Sequence, residues 1–251
     1  MLISLLSDIT QHDGIAELHG VIKRKLPPLG GIASDTTVPI NQWFLDMDAD
    51  TINNVLGPKI NGIVYFDKIF SDTPLDFFIL FSTLSSVVGT PGESCNAAAD
   101  AFMAALVKQR HSRGQAASIV RLGYTIGVGA PERDGGDIYQ ELAEQGFMAT
   151  SEADVHYLFA QSIVSGLPGS TENLDIVTGL QSVWTDDGVQ APWLNNPRFS
   201  HVVFPAKRRP AIPSENTTIA PLKLQLSAAR TVQEATEALE SKLLEKRRSS
   251  G

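Results

Sequence analysis

Short apolar runs alternate along the chain with longer amphipathic stretches, a pattern that predicts strands joined by helical crossovers in a mostly parallel sheet. The runs Leu2–Leu6, Leu29–Ala33, Leu75–Phe81, Ala116–Leu122 and Leu174–Val177 are rich in aliphatic residues and are predicted as strands. Helices are predicted over Ile15–Lys25, Asp50–Phe70, Ser94–Arg113 and Glu152–Val164. Gly114 follows Arg110, His111 and Arg113. That order suits a helix end, where basic side chains meet the negative pole of the dipole and glycine allows a left-handed cap. The expected class is therefore α/β.

Beyond this pattern the punctuation changes. Between Pro205 and Pro221 the chain carries four prolines and the basic run Lys207, Arg208 and Arg209, without apolar periodicity. This reads as a linker. Thr231 and Glu234 then have capping-box spacing, and Val232, Ala235, Leu239 and Leu243 recur at helical spacing. The expected organisation is a main domain over residues 1–204, a linker over 205–228 and a helical segment over 229–251.

Composition narrows the function classes. The net charge of −8 and pI near 5.1 repel phosphate backbones and anionic lipid, so neither nucleic acid nor a membrane surface is expected as a partner. The first residues lack a basic n-region and reach Asp8 before an apolar segment of signal-peptide length can form. A single cysteine, Cys95, excludes an internal disulfide, and a cytoplasmic location is expected. The five histidines show no paired spacing of the kind that metals select, so no metal is expected.

The chemistry concentrates in three stretches: Pro58-Lys59-Ile60-Asn61-Gly62, then Phe81-Ser82-Thr83-Leu84-Ser85-Ser86, then Asn96-Ala97-Ala98-Ala99-Asp100-Ala101-Phe102. They resemble the core of the ketoreductase domain of fungal-type highly reducing polyketide synthases and their peptide-synthetase hybrids. These domains are Rossmann-like short-chain dehydrogenases. Pro192-Trp193-Leu194-Asn195-Asn196-Pro197-Arg198-Phe199 resembles a segment that follows the last strand in the same synthases. Ile176–Leu180 and Asp46–Asp48 are weaker echoes, and the resemblance covers most of residues 1–204.

The resemblance implies a site in which a tyrosine gives a proton to a ketone, a lysine ammonium lowers the phenol's pKa from ~10, and a serine hydroxyl holds the carbonyl oxygen. NADPH would supply the hydride. Carried over residue by residue, Lys59 is retained, Thr83 takes the serine position, Asn96 the tyrosine position and Asp100 the asparagine position. Threonine keeps a hydroxyl. A carboxamide cannot release a proton at physiological pH, and losing a general acid typically lowers the rate by about a hundred- to ten-thousand-fold. Asp100 brings an anion near the lysine, where it could form an ion pair and hold Lys59 from its family role. No tyrosine lies between Tyr65 and Tyr124, so Tyr124, just past a predicted strand, is the one nearby substitute acid. Ser85 and Ser86 are expected as turn residues.

The cofactor side departs as well. No Gly-rich strand-turn-helix of the kind that cradles a pyrophosphate occurs in the sequence. Residues 1–8 resemble the family's third strand, with Asp8 at the adenine-contacting position, and the family's first two strands are expected to be missing. Ala33 and Ser34 stand at the end of the strand that forms the cofactor wall. Residues 231–246 resemble the first helix of an acyl-carrier domain.

Three functions remain open on the sequence. The first is a ketoreductase-like fragment of a polyketide synthase in secondary-metabolite biosynthesis, without autonomous catalysis. The second is an NADPH-dependent β-ketoacyl reductase that acts with a partner, on a carrier-bound β-ketoacyl substrate. The third is a non-catalytic docking module for a synthase.

Overall fold

The computed structural model describes residues 3–36, 38, 40–126, 138–191 and 193–206. The chain divides into two compact units, Met1–Arg208 and Arg209–Gly251. The second unit, the helix expected within it and nearly all of the expected linker lie outside the described residues.

Four parallel strands, β1 (Gly31–Ser34), β2 (Phe77–Thr83), β3 (Ser118–Leu122) and β4 (Asp175–Val177), form the main sheet in the order β1-β2-β3-β4. The helices α1 (His12–Lys25), α2 (Ala49–Leu56), α3 (Gly62–Ile69), α4 (Ser85–Val88), α5 (Ser94–Ser112), α6 (Ile138–Glu144) and α7 (Glu152–Ser165) flank or connect them. Strand β2 shows why the sheet is layered. Phe78 and Leu80 pack with Ile63 of α3 and Met103, Leu106 and Val107 of α5. Ile79 points the other way, to Val120 and to Leu158 of α7. Alternate side chains of one strand thus feed two cores, which is why β2 reads as a continuous apolar run.

A third cluster gathers Leu84, Leu142, Phe147, Val183, Trp193 and Phe199. It includes a short parallel pair, β5 (Val183–Trp184) and β6 (Val203–Phe204), which the sequence pattern did not predict.

Two expectations need correction. Of the strand predicted over residues 2–6, the described residues 3–6 are irregular, and Leu6 is fully exposed. Apolar composition favours a strand only where a neighbour completes its ladder, and β1 is the end strand of the described sheet. The single helix predicted over residues 50–70 is interrupted by a π-helical turn, Gly57–Asn61, between α2 and α3. Pro58 has no amide hydrogen and its ring crowds the preceding turn, so regular α-helical bonding cannot pass through it. Elsewhere the signals hold. Gly114 has a φ of 72° just past α5, and Ser151 and Asp154 make a reciprocal capping box at the start of α7.

Candidate active site

The π-turn carries Lys59 inward, and its ammonium donates to Asp100 Oδ1 at 3.0 Å. Both side chains are almost fully out of solvent, at 1% and 0% exposure. Thr83, the last residue of β2, meets the same carboxylate from the other side, its Oγ1 donating to Asp100 Oδ2 at 3.2 Å. Asn96 and Asp100 stand one turn apart near the start of α5, and helical spacing puts them on one face. The structure therefore brings together Lys59, Thr83 and Asp100, as the family resemblance implied, and Lys59 and Asp100 form an ion pair.

Asn96 is turned elsewhere. Its Nδ2 donates to Glu93 Oε2 at 2.7 Å, while its buried Oδ1 has no hydrogen-bond partner. A cleft of about 320 Å³ opens beside these residues, with Asn41, Thr83, Ser85, Glu93, Tyr124 and Phe147 among its walls. Tyr124 is 46% exposed there, its ring 5.8 Å from that of Phe147. A larger cavity, about 530 Å³, lies between the ends of α1 and α3 and contains none of the expected site residues.

Two cleft residues were missed in the sequence. Ser85, expected as a turn residue, opens α4 and places its Oγ 2.6 Å from Thr83 Oγ1. Glu93 lies three residues before Asn96, and that spacing at a helix start was the available signal. Leu122 and Gly123, at the end of β3, complete the wall. A Cβ on Gly123 would stand 2.7 Å from the Cα of Gly179, so only glycine allows the two chains to pass this closely.

The expected cofactor-facing residues are dispersed. Asp8 sits in an exposed turn, where its carboxylate accepts from the amide and hydroxyl of its own neighbour Thr10, and these bonds hold its pKa below the usual value. The strand that was to carry it is not formed. Ala33 is exposed and Ser34 buried at the end of β1, and neither lines the cleft.

The model of the KR domain family matches residues 2–127. The chain belongs to the KR domain family. It is 36% identical over 248 residues to the polyketide synthase-nonribosomal peptide synthetase phmA of Phaeosphaeria nodorum, covering 97% of this chain and 6% of that protein. With the polyketide synthase-nonribosomal peptide synthetase ffsA of Aspergillus flavipes the identity is 38%, over the same shares. The KR chain thus spans about 6% of the length of the curated relatives that it matches. Among solved structures, a ketoreductase domain from the bacillaene assembly line matches with a TM-score of 0.60 at 24% identity, over 69% of this chain and 41% of that one. This likeness supports the Rossmann-like fold.

KR domains use NADPH as a family. The residues present here do not fit that role: the Lys59 ammonium is held by a buried carboxylate, and the Asn96 carboxamide, which has no acidic proton, is bonded to Glu93. Among the described residues, no helix is long and apolar enough to cross a membrane, and no cluster of His, Cys, Asp or Glu could hold a metal ion.

Proposed function

We propose that this chain is a ketoreductase-like portion of a polyketide synthase-nonribosomal peptide synthetase, serving secondary-metabolite biosynthesis, and that it does not itself reduce a ketone. The observation that carries this reading is the Lys59–Asp100 pair, buried at 1% and 0% exposure. A charge-compensated lysine cannot lower the pKa of a neighbouring acid as a free ammonium would, and Asn96 offers no acidic proton. Lys59, Thr83, Asn96 and Asp100 are on this reading inherited reductase positions that no longer serve ketone reduction. Asp8, Ala33 and Ser34 are inherited cofactor positions.

The test is NADPH oxidation by the purified chain with a β-ketoacyl thioester. No oxidation above the buffer rate is expected. Oxidation that disappears in Lys59→Ala would overturn the reading.

One observation favours a second reading, in which the chain reduces a carrier-bound β-ketoacyl group together with a partner. Tyr124 shares the cleft with Thr83, and its phenol is an acid that Asn96 is not. That reading requires turnover in the presence of a synthase, and its loss in Tyr124→Phe.

A further inference from the structure

Asp100, Thr83 and Ser85 form a hydrogen-bonded file from the dry interior to the cleft. An ionised carboxylate only accepts, so the one hydroxyl proton of Thr83 goes to Asp100 Oδ2, at 3.2 Å. The contact of 2.6 Å between Thr83 Oγ1 and Ser85 Oγ then takes its proton from Ser85. The proton of Ser85 is drawn inward, toward a buried carboxylate, and its oxygen lone pairs are left toward the cleft that Ser85 helps to line. This is the arrangement of an activated hydroxyl nucleophile, with Thr83 as relay and Asp100 as proton acceptor. Lys59 on Asp100 Oδ1 fixes the carboxylate in place. Thr83 is held in turn, its carbonyl accepting from Ser86 Oγ at 2.7 Å, and Ser86 receives Arg121 at 2.8 Å.

We propose that Ser85 is an acyl-accepting nucleophile and that the cleft hydrolyses acyl thioesters. The file holds no second group that could hand a proton to the departing atom, so the acyl group must bring a leaving group that needs no assistance. A thiolate, with a conjugate-acid pKa near ~8.5, leaves unaided, whereas an amide nitrogen must first be protonated. Glu93 on the cleft wall, anchored by Asn96, disfavours acyl chains that end in a carboxylate.

In the first step a bond forms between Ser85 Oγ and the carbonyl carbon, while the Ser85 proton moves to Thr83 and the Thr83 proton to Asp100. The carbon–sulfur bond breaks and the thiolate leaves into the cleft, while the proton stays on Asp100, because the esterified Ser85 oxygen can no longer pass it on. Water then gives one proton to the thiolate and adds its hydroxyl to the Ser85 ester, the carbon–oxygen bond to Ser85 breaks, and the serine takes back the proton that returns from Asp100 through Thr83. The net change is thioester plus water to carboxylic acid plus thiol, with no oxidation or reduction. The proposal rests on the reading of the chain as part of a thioester-handling synthase and is independent of whether it reduces ketones.

The experiment uses the full chain with the N-acetylcysteamine thioester of hexanoic acid, without NADPH. Thiol release about 100-fold or more above buffer is expected, within the usual range for positioned acid–base groups. It should fall to the buffer rate in Ser85→Ala at an unchanged unfolding midpoint. Ser85→Cys should still capture the acyl group, seen as a mass increase on the peptide that holds residue 85. Thr83→Val, which keeps the shape and removes the relay, should shift the pH profile of capture upward. Equal thiol release by the wild type and Ser85→Ala, an adduct on Cys95, or no release by the wild type would each overturn the proposal. NADPH oxidation, followed separately with a β-ketoacyl thioester, would sink the non-reductase reading and leave this result untouched.

Discussion

Lys59 Nζ and Asp100 Oδ1 lie 3.0 Å apart, and neither side chain has more than 1% of its surface in solvent. Removing one partner of such a pair leaves an uncompensated charge in the interior, typically at about 3–5 kcal/mol, whereas exchanging both for apolar groups of similar volume is often neutral. Lys59→Met and Asp100→Leu should therefore each destabilise the chain strongly, and the double variant should recover most of the loss. Urea midpoints of the four proteins close the cycle. Additive losses in the double variant would show that the pair is not coupled.

Asn96 supplies a second contrast. Its buried Oδ1 lacks a partner, a defect of about 1–3 kcal/mol that an isosteric apolar side chain removes. Asn96→Leu loses the bond to Glu93 and should stay within about 1 kcal/mol of the wild type. Asn96→Asp keeps the shape, adds a carboxylate beside Glu93, and should be much less stable at neutral pH. Thermal unfolding of the two variants checks the order.

The passing point of Gly123 and Gly179 couples the fold to the cleft. An alanine at 123 would set its Cβ 2.7 Å from the Cα of Gly179, which has a φ of 85° and packs near Leu84. Backbone must move to relieve this contact, so Gly123→Ala should destabilise by about 1–3 kcal/mol. The displaced cleft wall should also enhance the quenching of Tyr124 fluorescence by iodide.

How far the sequence carried can be judged from these same residues. Strand β2 was legible because both of its faces are buried, so Phe77–Phe81 reads as an unbroken apolar run. Residues 2–6 offer a similar run, but the described residues 3–6 form no ladder, since periodicity reports composition and not the presence of a neighbour. The break at Gly57-Pro58 was visible in the sequence, but the apolar pattern on either side concealed it. The family resemblance brought Lys59, Thr83 and Asp100 into one site. It could not show that the Thr83 hydroxyl would share Asp100 with Lys59 and also meet Ser85, because this depends on the turn that joins β2 to α4.

The start of α7 gives a prediction with a defined pH sign. Ser151 donates to Asp154 Oδ2 from both its hydroxyl and its amide, at 2.7 and 2.8 Å. These bonds stabilise the ionised form and lower the Asp154 pKa below 3.8. With the folded pKa depressed, the unfolded chain binds the proton more readily. The stability contributed by Asp154 is thus fully present above the ordinary carboxylate pKa of about 4 and is lost as the pH falls through the folded value. Asp154→Asn removes that contribution at every pH. The difference in urea midpoint between the wild type and Asp154→Asn should be largest at pH 7 and should narrow below about pH 4, the other carboxylates cancelling in the comparison. A difference that stayed constant from pH 7 to pH 3 would show that the ionised carboxylate adds nothing to the cap.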